Sequence, residues 1–321
     1  MNLNIKKVLS TLSPKLTTYL MYYYNFKKPL NLKKPSTINE KLQHLKLHTY
    51  YNNPVVTQCV DKYRVREYLT DHGYEHLLPE LIAGGIEEPE EIRQRWETFP
   101  NSFVIKCNHG CGYNILVKNK AEENVDQIVA QLTQWMKENY WKYYCEPQYK
   151  QVKKCILVEQ YLADDIQTYK FYCFHGKPQV AYVSENGPNG EKDLYLDYYD
   201  MKWHRLPLTL DGHLHKSDSM PAPENLQEMV RTSCELSKDF PFVRIDLYDV
   251  NGKVYFSEFT FIPTGGMMKI DPPEVLDEWG KMINLGGGLA KKYMIGKRTN
   301  GFAIGDILVF PMRSMTVYCT S

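Results

Sequence analysis

Apolar residues along the chain fall into helical and strand periods, and these give an element order before any chemistry is considered. Leu9, Leu12, Leu16, Leu20 and Tyr23 follow a helical stripe interrupted at Pro14. After Pro35-Ser36-Thr37, helices are predicted over about 38–48 and 54–70, ahead of a loop at Gly73. Residues 86–97 read as an acidic helix leading into a strand at 103–107. A glycine loop, a strand at 115–118, a helix at 123–139, an aromatic connector and a strand at 155–162 follow. A strand from 169, a turn at His175-Gly176 and a strand at 178–183 come next. The stretch 184–220 reads as loop-rich with a strand pair near 194–205. Residues 223–238 read as a helix with Pro223 in its first turn. No internal repeat is apparent.

The clearest alternation runs from Phe242 to Lys269, FVRIDLYDVNGKVYFSEFTFIPTGGMMK. Arg244 and Asp246 are two apart, as are Glu258 and Thr260, so each pair shares a strand face. A hairpin closed by Asn251-Gly252 sets the pairs side by side. Two carboxylates and a hydroxyl suit Mg²⁺, and an arginine beside them suits a phosphate in transfer. A salt-bridged exposed hairpin face would read the same way in isolation.

Other segments carry weaker signals. FVIKCNHGCGYN (103–114) is a strand ending in Lys106, then a loop with Gly110 and Gly112 whose freed backbone N–H groups suit a polyphosphate. KCILVEQYLADD (154–165) is a strand ending in Glu159-Gln-Tyr-Leu162, suited to a purine edge, with acids downstream for ribose hydroxyls. VDKYRVREYL (60–69) reads as the start of an amphipathic helix carrying Lys62. In this order the segments resemble the ATP-grasp superfamily. INEKLQHLKL, DKYRVREYL, FVIKCNHGCG, YKFYCFHGKP and FPFVRIDLY are similar to its TupA-like group, named for teichuronopeptide synthesis.

The resemblance spans roughly residues 35–285. It implies an α+β ATP-grasp fold, two α+β subdomains clasping ATP, with an N-terminal helical arm. The divisions it suggests are a basic helical region (1–60), an ATP-grasp domain (61–285) and a tail (286–321) with no counterpart in the family. Within the domain, the lid covers about 100–160 and the catalytic part about 161–285. Arg244, Asp246 and Glu258 take catalytic places, and Asp246, Glu258 and Thr260 would hold Mg²⁺. Thr260 stands where these enzymes usually have Asn. Lys62, Lys106, Gly110 and Gly112 would hold the ATP phosphates, and Glu159 and Leu162 the adenine. Asp165 is taken for the ribose, with Asp164 and Gln167 as alternatives. Lys170 would face the phosphates or acceptor, or solvent.

The implied activity is ADP-forming amide ligation in the synthesis of surface polysaccharide or cell-wall polymer, with an amino acid joined to a uronic acid carboxyl. A glycosyltransferase of the same pathway and a non-catalytic nucleotide-binding protein are the rival readings. Acid pairs such as Asp193/Asp197 and Asp164/Asp165 lack the strand–loop framework of a nucleotide-sugar site. Cys107, His109 and Cys111 do not have the spacing of structural zinc ligands.

Composition narrows the classes further. The chain has 321 residues and a net charge of +1, which gives no general case for nucleic acid. Charge is uneven, however, because residues 1–48 hold nine lysines against the single acid Glu40. Lysines flanking a Tyr-rich patch in residues 1–34 fit a peripheral membrane contact, or an arm packed on its own domain with a solvated lysine face. Eight scattered cysteines, no signal-peptide pattern and no apolar run of membrane length point to a reduced, cytoplasmic setting.

Overall fold

The computed structural model describes residues 3–164, 166–187 and 190–286, with side chains omitted for 186–193. Asp165 and the segment after Gly286 lie outside the described residues, as does the side chain of Asp193. The architecture is α+β, with two antiparallel sheets, each backed by its own hydrophobic core.

The N-terminal arm is α1 (Leu3–Leu12) and α2 (Pro14–Phe26), broken where Pro14 starts the second helix and the Ser13 side chain caps it. α3 (Ile38–Leu47) opens with a full capping box between Thr37 and Glu40. The single helix expected over 54–70 is instead α4 (Pro54–Val60) and α5 (Val65–Asp71). The buried Asp61 carboxylate accepts the Tyr63 and Arg64 N–H groups, and this side-chain turn competes successfully with helix propagation. Lys62 therefore sits in a turn and does not open a helix.

The smaller sheet has the order β1-β4-β2-β3. Its strands are β1 (Leu81–Ile86), β2 (Phe103–Cys107), β3 (Asn114–Val117) and β4 (Ile156–Gln160). Between them lie α6 (Glu90–Gln94), α7 (Val125–Lys137) and α8 (Trp141–Tyr144). β1 was not anticipated, because its sequence LIAGGI has weak strand propensity. Pairing with β4 holds it, and its glycine serves a close approach: a Cβ on Gly84 would come within 2.3 Å of the Tyr63 ring. The expected acidic helix at 86–97 is reduced to α6 and a short 3₁₀ turn at Trp96–Thr98.

The larger sheet has the order β11-β10-β5-β6-β7-β8. It comprises β5 (Thr168–Phe174), β6 (Lys177–Gly187), β7 (Gly190–Tyr199), β8 (Arg205–Leu206), β10 (Phe242–Val250) and β11 (Lys253–Thr260). The β6–β7 hairpin shows that much of the region read as loop is strand. α9 (Leu226–Ser237) packs on β5, β6 and β10 with an apolar face bearing Met229 and Leu236. A two-stranded sheet pairs β9 (Thr209–Leu210) with β12 (Ile270–Asp271), and α10 (Glu274–Lys281) packs against α3. One chain connection, residues 161–167, leads from the end of the smaller sheet into β5.

Candidate active site

A single residue out of register builds the acidic face. The turn is as expected, with Asn251 and Gly252 both left-handed (φ 53° and 73°). From this turn β10 and β11 pair regularly to Leu247 opposite Phe256, but the next pair is Asp246 opposite Glu258. Ser257 is left over as a β-bulge. Because side chains alternate, an unbulged ladder would send Glu258 to the face opposite Asp246. The bulge turns it back, and Arg244 then pairs with Thr260. Lys170 of β5 is the cross-strand neighbour of Asp246 on the other side.

Arg244 is the hub of this face. Its Nε and Nη2 donate to the two Asp246 oxygens at 2.6 Å each, a bidentate pair. Nη2 also reaches Glu258 Oε1 (3.2 Å) and Thr260 Oγ1 (2.9 Å), and Nη1 donates to the Tyr182 hydroxyl (3.0 Å). Burial pushes the Asp246 carboxyl up, and the pull of Arg244 does not fully reverse it. Burial pushes Glu258 up too, but there Lys62 and Arg244 prevail and the net shift is downward. Burial lowers Lys170, with Asp246 offsetting part of the effect. Two carboxylates and a hydroxyl form a hard-oxygen donor set, and the Glu258 side chain remains 26 % exposed. That chemistry fits Mg²⁺ with Asp246, Glu258 and Thr260 as holders, provided the ion shares them with or displaces Arg244.

The smaller sheet contributes the cations. Lys106, at the end of β2, pairs with Glu159 of β4 at 2.6 Å. Arg66 of α5, not singled out by the sequence, binds the other Glu159 oxygen at 2.8 Å. Burial alone would lower Lys106, yet Glu159 holds it above the ordinary lysine value. Lys62 Nζ donates to the Gly110 carbonyl (2.5 Å) and lies 3.7 Å from Glu258, so it links the glycine loop to the acidic face. A gap of about 10 Å³ lies among Lys62, Lys106, Glu159, Leu78 and Phe256, room for about one water. A nucleotide would need these walls to part.

The remaining candidates are spread out. Gly110 is tight for packing reasons, since a Cβ there would lie 2.7 Å from the Tyr140 ring, whereas Gly112 is left-handed and open. Leu162 lies in the 161–167 connection. Asp164 is exposed, pairs with Lys118 and accepts from the Tyr161 hydroxyl (2.6 Å), while Gln167 donates to the Ser184 carbonyl. Cys107 is buried with its thiol pushed up to about 12, mainly by burial, and His109 bonds to the Trp135 carbonyl. No metal-binding cluster of His, Cys, Asp and Glu occurs among the described residues. Asp197 is buried between Arg205 (2.8 Å) and His215 (2.7 Å), a structural pin for β7 and β8.

A family model described as TupA-like ATP-grasp matches residues 40–284. No curated protein matches by sequence. Among solved structures, D-alanine–D-alanine ligase from Bacillus anthracis is similar at 17% identity and a TM-score of 0.39, over 70% of this chain and 63% of that one. The Helicobacter pylori enzyme gives 16%, 0.41, 70% and 61%. The ATP-grasp ligase PsnB, complexed with a minimal precursor, gives 11%, 0.36, 66% and 55%. The chain thus spans less than two thirds of the length of these structures.

Proposed function

The chain belongs to the TupA-like ATP-grasp family, and from that premise we propose that it is an ATP-dependent, ADP-forming carboxylate–amine ligase. The observation that carries the reading is the convergence of Arg244, Asp246, Glu258 and Thr260 on one sheet face, with Lys62 reaching across from the glycine loop. An ionised carboxylate resists amines because oxide would have to leave. Phosphorylation supplies a leaving group, and the enzyme's task is then to align anions and offset their charge. Arg244 and Lys170 hold positive charge beside the acidic face, and Lys62 and Lys106 offer it to the phosphates. Mg²⁺ bound at Asp246 and Glu258 would supply Lewis-acid charge stabilisation there. Asp165 remains the residue proposed for the ribose. The family resemblance favours a uronic acid carboxyl and an amino acid as the joined groups, in surface polysaccharide or cell-wall polymer synthesis. Incubation with ATP, Mg²⁺, uronic acids and hydroxylamine should yield ADP and a trapped hydroxamate. Amide formation with release of AMP would sink the mechanism, and transfer from a nucleotide sugar without ADP would favour a glycosyltransferase.

A peripheral membrane contact forms part of the same proposal. The arm packs one face, burying Thr17, Thr18, Met21 and Tyr22, with Ser10 bonded to the Lys142 carbonyl. Its other face exposes Ile5, Val8, Leu12, Leu16, Leu20 and Tyr23, Leu12 by 76 %, with Lys15 exposed among them. Exposed leucines beside lysines match an interfacial helix pair at an anionic membrane surface. No helix among the described residues is long and apolar enough to cross a membrane. Full-length protein should sediment with anionic vesicles in a salt-sensitive way. The Leu12→Ser/Leu16→Ser variant should not, and equal sedimentation of both would remove the arm from this role.

A further inference from the structure

Beside the catalytic face lies a group of buried polar atoms that the chemistry above leaves unused. α3 packs against the turns at 147–149 and 263–266, and it buries Gln43 and Lys46 completely. Gln43 Nε2 donates to the carbonyls of Gly265 (2.9 Å) and Gly266 (2.8 Å), which fixes the amide and leaves Oε1 as an acceptor with no partner. Lys46 Nζ has no hydrogen-bond partner, nor has Gln148 Oε1 on the facing turn. The buried carboxylate that answers Lys46 is Glu146, with no ion-pair contact between the two.

Burying an ammonium group with nothing bonded to it costs several kcal/mol. A fold that keeps such a group next to its active site has prepared it for an anion. A plain carboxylate ligand would need only the lysine. An acid and two free amide oxygens beside it complement an ammonium as well, so the group as a whole matches a zwitterion. The Glu146 and Glu258 carboxylates are near enough to repel one another, and the turn at 263–266 that Gln43 binds follows closely on the strand carrying Glu258, so an amine held at Glu146 lies on the side of the reacting face.

Resting on the ligase reading, we propose that Lys46 and Glu146 seat the amine substrate, an α-amino acid bound as its zwitterion. Lys46 binds the α-carboxylate, and Glu146 takes one proton from the α-ammonium. The freed nitrogen lone pair forms the C–N bond with the acyl phosphate, the C–O bond to phosphate breaks, and phosphate leaves with that electron pair. The second N–H proton is lost to the departing phosphate. Burial raises the Glu146 carboxyl to about 7, with Lys46 pulling it back, which suits a base working near neutral pH.

Hydroxylamine gives a direct test, because it is uncharged near neutral pH and needs neither a carboxylate anchor nor a base. Full-length Lys46→Met and Glu146→Gln should form hydroxamate from uronic acid, ATP and Mg²⁺ at rates within about threefold of wild type. With amino acids screened as the amine, Lys46→Met should raise KM by about 10²-fold and Glu146→Gln should lower kcat by about 10²-fold. If either single variant fails to fold, Lys46→Met/Glu146→Leu removes both charges together and should show the same split. Wild-type amide formation in these variants overturns the assignment, as does equal loss of hydroxamate and amide in folded protein. A wild-type chain that forms no hydroxamate overturns the ligase reading beneath it.

Discussion

The two sheets each bury an ionic cluster, and the clusters are built in opposite ways. On the smaller sheet one carboxylate, Glu159, lies between Lys106 and Arg66. On the larger, one guanidinium, Arg244, lies between Asp246 and Glu258. By direct pairing the first has two cations to one carboxylate and the second two carboxylates to one guanidinium, while Lys62 and Lys170 flank the second and offset its negative charge. The first cluster thus has cationic capacity left over, whereas the second gathers carboxylate oxygens among neighbouring cations. Lys62 touches both sides, between the Gly110 carbonyl and Glu258.

Breaking the acidic cluster should have the largest effect. Asp246→Asn and Glu258→Gln are expected to lower turnover by at least about 10²-fold while unfolding curves show a folded protein. Deleting Ser257 removes the bulge but leaves Asp246 opposite Glu258 in a regular ladder, so the deletion, like Ser257→Ala, should keep turnover well above that of Glu258→Gln. A loss in the deletion as large as that of Glu258→Gln would show that this pairing register does not by itself set the site. Arg244→Met leaves Asp246 buried without its partner and should cost about 3–5 kcal/mol in urea unfolding. Glu159→Gln should cost less, because Lys106 and Arg66 are closer to water than Asp246 is. Equal losses would abolish the contrast between the clusters.

On the positive side the effects are smaller. Lys62→Ala and Lys106→Ala should each weaken binding of a non-hydrolysable ATP analogue by roughly 1.5–3 kcal/mol in calorimetry. Unchanged affinity in both would make them structural lysines. The smallest effect concerns pH. Burial drives His109 down to about 4, and nearby Lys154 adds to this. Its neutral form is held in the fold, so there is no penalty above the usual histidine pKa. Stability should fall as pH drops from about 6.5 towards 4, by on the order of 2 kcal/mol. Thermal melts of wild type and His109→Gln should converge at low pH; parallel curves would rule this out.

The strands and glycine loop that carry the chemistry were legible because their apolar alternation is strong and their punctuation clear. Arg244, Asp246, Glu258 and Thr260 could be gathered from period-two reasoning alone. That reasoning reached the right grouping without the bulge at Ser257 that makes it possible, since an extra residue in a ladder leaves no mark on composition. The break at 61–64 was hidden because Asp61 acts through its side chain, in a stretch whose apolar spacing continues helically. β1 was hidden by its glycines, and Arg66 and Glu146 by distance along the chain, since their partners lie far from them in sequence.

α3 has a further consequence, for the order of folding. Its side chains bond to Gly265, Gly266, Met268 and Ile283, from the far end of the described chain. During synthesis the first of these partners emerges 222 residues after Gln43, so α3 has no permanent seat until then. The first helix of the arm needs much less, because α1 docks on α8, about halfway along, whereas α2 also reaches Met267. The leucines of α1 are therefore already displayed while the larger sheet is still being made.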